Sequence, residues 1–240
     1  MQLVPPPDPA AVPTDVASGL RTATGELGFR PAVTVLRPDR RDEQGVATLA
    51  QWAAKGAHLL EADLGLGPGD RVHLDLPAGW TMAAVCLAAW WAGIAITLDG
   101  DAEVAVVEEG RTPPAAAVDV LWTGAAVDGA PVGATGGEPW AQAVQAFPDA
   151  PPPPRAGPEL LALVGGPRRF DQRELLADAA ALGDRRATLG VDSATVTGHR
   201  AVLAVAARPI AARRPTVVLA GVDRDAATQD RVTSWLEARS

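Results

Sequence analysis

Leu64 to Asp99 reads LGLGPGDRVHLDLPAGWTMAAVCLAAWWAGIAITLD, and it carries the strongest structural signals in the chain. Gly67 to Asp70 has the composition of a tight turn, because proline fixes φ and glycine permits positive φ. Alternating apolar and polar side chains then predict a strand over Val72 to Leu76. Thr81 to Ala92 is apolar, alanine-rich and long enough for a buried helix, and Ile94 to Leu98 is typical of a second strand. A strand, a helix and a strand this close together predict a βαβ unit with parallel strands and a right-handed crossover.

The spacing of apolar residues predicts the other elements of the chain. The charged segment Arg37 to Gly45 suits a hairpin or a loop. Helices are expected at Asp15 to Leu27, Thr48 to Leu60, Pro139 to Phe147, Asp171 to Leu182, and from Asp223 or Asp225 to Arg239. Strands are expected at Ala32 to Leu36, Glu103 to Val107, Val118 to Trp122, Leu160 to Val164, Ala201 to Val205 and Thr216 to Ala220. Because strands alternate with helices, the predicted fold class is α/β, with largely parallel sheets flanked by helices.

Four consecutive prolines, Pro151 to Pro154, mark the clearest boundary in the chain. A run of prolines donates no backbone hydrogen bond and resists helix formation, so residues 148–158 are predicted to form an extended linker. The chain then divides into a tail and leading helix (1–28), an α/β lobe (29–147), the proline-rich linker (148–158) and a second α/β portion (159–240). The second portion is expected to pack on the first, because it is too short for a sizeable core of its own.

Composition excludes several classes of function. The net charge of −8 argues against nonspecific binding to nucleic acid. Cys86 is the only cysteine, so the chain has no internal disulfide and no CxxC metal or redox site. The three histidines are widely spaced and follow no metal-ligand pattern, so no metal site is predicted. The uncharged run from Leu76 to Leu98 has the length of a membrane span, but Pro77, Gly79 and Gly93 interrupt it, and no span is expected.

Charge is distributed unevenly along the chain. Residues 1–150 carry 8 basic and 19 acidic side chains, whereas residues 151–240 carry 13 basic and 10 acidic ones. Nearly all the basic residues are arginines, and Lys55 is the only lysine. The second portion of the chain therefore favours either an anion or the acidic first portion.

The motifs around the predicted βαβ unit resemble those of a known superfamily. A helix ends at Leu59-Leu60, Leu64-Gly65-Leu66 leads into Gly67-Pro68-Gly69-Asp70-Arg71-Val72, and Leu76-Pro77 precedes an alanine-rich helix that ends at Ala92-Gly93. Residues 46–98 thereby resemble the amino-terminal part of the acyl-adenylate-forming superfamily, which includes acyl-CoA synthetases. The resemblance implies a truncated, AMP-binding-like relative of the short actinobacterial type, with the fold of the first half of the synthetase N-terminal domain.

The same resemblance locates the expected nucleotide loop, which in the superfamily reads like TSGTTGxPKG and wraps the phosphates of ATP. Here Leu163 to Asp171 reads LVGGPRRFD, which is several residues shorter and contains no Ser, Thr or Lys. Gly165, Gly166, Arg168 and Arg169 remain as candidates for a weak anion site beside the helix that Asp171 begins. No catalytic residue is predicted, since the resemblance finds no counterpart of the superfamily's later ATP-binding residues or lid lysine before Ser240. No cofactor is expected, and ATP or AMP would bind only weakly.

Three hypotheses about function follow. The first is a catalytically inactive acyl-CoA synthetase-like protein, retained as a binding or interaction module with an unidentified protein partner. The second is an ATP-dependent adenylating enzyme that a partner chain completes. The third is a purely structural subunit without a small ligand. The missing lysine and hydroxyls favour the first and third over the second. The start of the chain has neither a basic segment nor an apolar run, so a cytoplasmic protein is expected.

Overall fold

A computed structural model of the protein describes residues 11–124, 126, 128–133 and 137–237. Residues 1–10 of the predicted tail lie outside these described residues, and so do residues 238–240, which include the end of the predicted last helix. The helices are α1 (Val16–Leu27), α2 (Val46–His58), α3 (Trp80–Trp91), α4 (Trp140–Ala143), α5 (Gln172–Ala180), α6 (Gly198–Val202) and α7 (Arg208–Ala211). The strands are β1 (Pro31–Leu36), β2 (Arg41–Gly45), β3 (Arg71–Asp75), β4 (Ala95–Thr97), β5 (Val104–Glu108), β6 (Asp119–Thr123), β7 (Glu138–Pro139), β8 (Leu161–Gly165), β9 (Arg168–Asp171), β10 (Thr188–Asp192), β11 (Thr216–Leu219) and β12 (Val232–Leu236).

The predicted βαβ unit forms the middle of the larger sheet, whose strand order is β7-β6-β5-β3-β4-β8-β9. Strands β3 and β4 pair in parallel, with Val72 opposite Ile96, and α3 connects them. Only the hairpin of β8 and β9 is antiparallel among the strand pairs described in this sheet. The smaller sheet has the order β12-β10-β11-β1-β2 and is parallel except for the hairpin of β1 and β2. The predicted α/β class is therefore confirmed.

Helix α3 lies at the centre of the molecule and is buried on every face except at Thr81. It packs against α1, α2 and the π-helical segment Leu203–Ala207. Its sequence, WTMAAVCLAAWW, contains no charged residue, which suits a helix that meets no solvent. The indole N–H of Trp90 donates to the Ala162 carbonyl (2.7 Å), and that of Trp91 donates to the Pro152 carbonyl (2.9 Å), so the polar edge of each buried tryptophan is satisfied.

A fully buried glutamine joins three helices near the end of α3. The side-chain oxygen of Gln172, in α5, accepts a hydrogen bond from the Val16 N–H at the start of α1 (2.9 Å). Its side-chain N–H donates to the Trp90 carbonyl in α3 (2.9 Å). Because both ends of the amide are used, the core tolerates this polar side chain without a buried unpaired group.

Each sheet contains strands from both sides of residues 148–158. In the larger sheet β8 pairs with β4, and in the smaller sheet β11 pairs with β1. Most of residues 148–158 are exposed, but Pro152 is buried. The division of the chain into two lobes remains a prediction, since sharing a sheet does not test whether either part folds alone.

Two predicted elements are wrong. Ala201 to Val205, expected as a strand, lies in the continuous helical run formed by α6, the π-helical segment and α7. Residues 201–207 of this run are all apolar, so their sequence carries no periodicity that separates a buried strand from a buried helix. The predicted last helix is instead a 3₁₀ segment, Arg224–Asp230, followed by strand β12.

Strand β10 was missing from the predictions, and it explains why β12 is a strand. Residues of β12 pair in parallel with those of β10. A Cβ at Gly190 would lie 2.5 Å from the ring of Trp235, so this glycine leaves room for the indole across the pair. Propensity favoured a helix here, but pairing with a distant strand decided the structure.

No helix among the described residues is both long enough and apolar enough to cross a bilayer.

The contact between α2 and α3 makes a testable prediction about packing. A Cβ at Gly56 would lie 2.7 Å from the Cβ of Ala88, whereas a Cβ at Gly25, on the exposed face of α1, would meet nothing within 4 Å. We expect Gly56→Ala to lower the free energy of unfolding by about 1–2 kcal/mol, because overpacking outweighs the gain in helix propensity. Gly25→Ala should raise it by about 0.5–1 kcal/mol. Urea denaturation followed by circular dichroism measures both, and stabilisation by Gly56→Ala would contradict the close helix contact.

Candidate functional site

A cleft of about 560 Å³ opens where strands of both sheets end. The carboxyl ends of β3, β4, β8 and β10 all reach it, and α6 begins at its rim. Ligands of α/β proteins bind at this edge of a parallel sheet. The apolar part of its lining includes Leu74, Leu76, Met82, Leu98, Val196 and Ala201. The polar and charged part includes Asp75, Asp99, Arg111, Arg168, Ser193, Thr197 and His199.

The predicted glycine loop is a tight turn between β8 and β9, and its amide is already occupied. Gly165 pairs with Arg168 across the hairpin, which leaves Gly166 and Pro167 as the two turn residues. Gly166 has a φ of 57°, a conformation that glycine adopts without strain. Its N–H donates to the carboxylate of Asp99, which directly follows β4. The chain's own carboxylate therefore stands where the loop would otherwise hold an external anion.

Gly165 has a packing explanation. A Cβ at this position would lie 3.2 Å from Cδ1 of Leu98 and 3.4 Å from Cβ of His199. The contact with Leu98 is tighter than an ordinary van der Waals distance and the contact with His199 is at its lower limit, so an added side chain would press on the residue after β4 and on α6. The small side chain is thus required by the fold, and close approach of a ligand need not be invoked.

The two predicted arginines lie on the strand that follows the turn. Arg168 lines the cleft, but its guanidinium forms an ion pair with Asp178 (3.1 Å) and lies over the ring of Phe170 (4.8 Å). Arg169 is exposed and does not line the cleft. The structure therefore brings Gly165, Gly166 and Arg168 to one cavity and leaves Arg169 outside it.

The helix that begins after β9 offers no free amide to an anion either. The Asp171 carboxylate caps α5 by accepting from the Glu174 N–H (2.8 Å), and the Glu174 carboxylate accepts from the Asp171 N–H (3.3 Å). This reciprocal capping box places two carboxylates at the positive end of the helix dipole.

Together these contacts are a poor fit for the phosphates of a nucleotide. The turn amide is bonded to one carboxylate, the arginine is paired with another, and the helix start is capped by two more. A phosphate approaching Gly166 would meet the negative charge of Asp99 within a few ångströms, where repulsion is strong.

The sequence did not single out several residues of the cleft, namely Asp75, Asp99, Arg111, Ser193, Thr197 and His199. Arg111 pairs with Asp75 (3.4 Å) and with Glu108 (3.7 Å), and burial raises the pKa of the Glu108 carboxyl. The ring of His199 lies 6.0 Å from that of Phe170. The position of Asp75 and Asp99 at strand ends is the signal that was available, since such residues meet at one edge of a parallel sheet.

Metal and thiol chemistry find no support in the described part of the chain. There, no group of three or more His, Cys, Asp or Glu side chains is placed to hold a metal ion. Cys86 is fully buried in α3, and burial raises the pKa of its thiol. A buried thiol with a raised pKa is a packing residue, since the thiolate is the reactive form.

Comparison with known proteins supports the fold assignment. No family model matches the chain. One curated relative comes from Mycobacterium tuberculosis (strain ATCC 25618 / H37Rv) and is named as a member of a numbered protein family. It is 46% identical to this chain over 79 residues, which are 32% of each of the two chains. A Brucella canis acyl-CoA synthetase superimposes over 97% of this chain with a TM-score of 0.70 and 18% identity.

Two further structures show the same similarity. A Mycobacterium tuberculosis fatty acyl CoA synthetase has a TM-score of 0.66 and 16% identity over 91% of the chain. An anthranilate CoA ligase in complex with anthranoyl-AMP has a TM-score of 0.68 and 11% identity over the same share. The chain spans about half of each of these three structures, 48% of their length. The predicted fold, that of the first half of the acyl-CoA synthetase N-terminal domain, is confirmed.

The bond between Asp99 and Gly166 can be tested by stability. We expect Asp99→Ala to lower the free energy of unfolding by about 1 kcal/mol, because the turn amide loses a charged acceptor at a solvent-accessible site. Asp101→Ala, two residues along, removes the same charge from an exposed side chain and should change stability by less than about 0.5 kcal/mol. Chemical denaturation of the two variants measures the difference, and equal effects would contradict a specific role for Asp99.

Proposed function

We propose that this chain is a catalytically inactive, acyl-CoA synthetase-like binding module that holds a small organic molecule in the cleft between its sheets. The observation that carries the proposal is the hydrogen bond from Gly166 to Asp99, which fills the turn with the chain's own negative charge. Activation of a carboxylic acid by ATP needs preorganised positive groups around the phosphates, and such electrostatic stabilisation is usually the largest catalytic contribution. The cleft instead directs carboxylates at that position.

The lining of the cleft supports binding over a purely structural role. Its volume falls in the range of small-molecule pockets, and an apolar wall faces a small set of charged and hydroxyl side chains. Leu98, Met82 and Val196 suit an apolar body, while Ser193 and Thr197 suit a polar end. We therefore expect a ligand with a hydrocarbon or aromatic portion and one polar group. The similarity of the fold to proteins named as acyl-CoA synthetases supports this expectation.

The setting of the module is part of the same proposal. The net charge of −8 disfavours nonspecific contact with nucleic acid. We propose that the protein is cytoplasmic and that it binds a protein partner.

Thermal shift and turnover together test the proposal on the full chain. At 100 times its dissociation constant, a ligand should add about 2.7 kcal/mol of stability. We expect at least one member of a carboxylic acid panel to raise the melting temperature, with smaller effects from ATP, AMP or CoA. No member should cause pyrophosphate release from ATP. Sustained acid-dependent release would instead support an adenylating enzyme, and a panel without any stabilising ligand would support the purely structural subunit.

A matched pair of variants places the ligand in the cleft. Thr197 lines the cleft and is exposed, whereas Thr195, two residues earlier, is exposed but lies outside the lining. Thr197→Trp should abolish the ligand-induced shift by filling the cavity, and Thr195→Trp should preserve it. A shift that survives in both variants would place the ligand elsewhere.

A further inference from the structure

A second cavity lies at the opposite end of the smaller sheet. It is an open depression of about 670 Å³, formed by the loops that precede β10 and β11 and by the end of α1. Its lining includes four arginines and two carboxylates: Arg185, Arg186, Arg213, Arg214, Glu26 and Asp184. We call these six residues the arginine surface. The cleft described above lies at the carboxyl ends of the strands, so the two cavities are separated by the length of the sheet.

A fully buried arginine reinforces the positive charge below this surface. Arg208 has no exposed area, and its guanidinium donates to the carbonyls of Leu182 (3.3 Å), Asp184 (2.9 Å), Ala187 (2.8 Å) and Pro215 (3.4 Å). These carbonyls belong to the same two loops that carry the surface arginines. All four of these hydrogen bonds go to backbone carbonyls, whose dipoles stabilise the charge of the guanidinium.

The charge of Arg208 persists at neutral pH. Burial lowers its pKa to about 10, Asp184 raises it and the nearby Arg214 lowers it. Because the interior screens charge less than water does, a buried cation adds to the potential at the surface above it more than an exposed cation at the same distance would.

Contacts in the loops hold part of the arginine surface in place. Arg213 pairs with Glu26 (3.2 Å), and Nε of Arg214 donates to the Arg186 carbonyl (2.9 Å). The Asp184 carboxylate accepts from the Arg186 N–H (2.9 Å), so this acid is directed toward its own loop. The side chain of Arg186 is exposed and has no hydrogen bond or ion pair with any residue in the described ranges.

We propose that the arginine surface binds a small, multiply charged oxyanion, one that presents two or more phosphate or carboxylate groups close together. Guanidinium groups bind such groups through paired, charge-assisted hydrogen bonds, and Arg186 and Arg214 offer donors from two neighbouring loops. The volume suits a ligand larger than a single phosphate. On this proposal, four of the basic residues in the second portion of the chain lie together on the arginine surface and bind an anion.

Calorimetric titration of the full chain with inorganic tripolyphosphate tests the proposal, and citrate in a parallel titration separates phosphate from carboxylate ligands. We expect saturable binding of at least one of them that weakens as NaCl rises from about 0.05 to about 0.2 M, since screening reduces the attraction. Arg186→Ala with Arg214→Ala should raise the dissociation constant about tenfold or more. Absence of saturable binding, or binding that the double variant leaves unchanged, would overturn the proposal.

A control variant with the same change in net charge distinguishes binding at the arginine surface from attraction by the overall charge of the protein. Arg71 and Arg173 are exposed and lie outside the arginine surface, so Arg71→Ala with Arg173→Ala removes the same charge elsewhere. This control should retain the affinity of the unmodified chain, and an equal loss in both double variants would overturn the proposal. If the first double variant does not fold, Arg186→Glu alone serves, because the side chain of Arg186 is exposed. The Thr197→Trp variant should bind tripolyphosphate normally, which keeps this test independent of the cleft.

Discussion

Near-complete burial of α3 governs how the other elements of this protein are arranged. A helix without charge can be stable only where other elements cover every face, and here α1, α2 and the helical run that follows α6 cover it. The two tryptophans at its end are satisfied by carbonyls from Ala162 and Pro152, which lie far along the chain. Helix α3 also contacts β4 of the larger sheet and β1 of the smaller sheet, and the cleft lies where strands of both sheets end.

In the cleft, polar and charged groups around a glycine turn are satisfied within the chain. Each polar group that would face a phosphate in this structure has a partner within the chain: the Gly166 amide has Asp99, Arg168 has Asp178, and the start of α5 has its own capping box. Such internal pairing stabilises the native state, because these amide and guanidinium groups have hydrogen-bond or ion-pair partners without any ligand.

Local chemistry in the sequence was enough for the βαβ unit, because turn residues, alternation and a long apolar run all favoured the same structure. The cap of α5 at Asp171 could likewise be predicted, since a capping box is contained within four residues. The contact of Asp99 with Gly166 could not, because 67 residues separate the pair and only the assembled sheet brings them together. Strand β12 could not be predicted either, because it pairs with β10, which is distant in the sequence. The helical run around Leu203 could not be predicted because its uniformly apolar sequence fits a buried strand as well as a buried helix.

The order of strands in the smaller sheet has a consequence for biosynthesis. Strand β1 can form its hairpin with β2 as soon as both have been synthesised, but its other neighbour, β11, follows much later in the sequence. Until then an apolar strand has an unpaired edge, which is a template for association with other chains. Closing such a long-range pair is slow compared with forming helices. Between the synthesis of β1 and that of β11, this unpaired edge is therefore a place where aggregation can begin, and a chaperone that shields strand edges would act there.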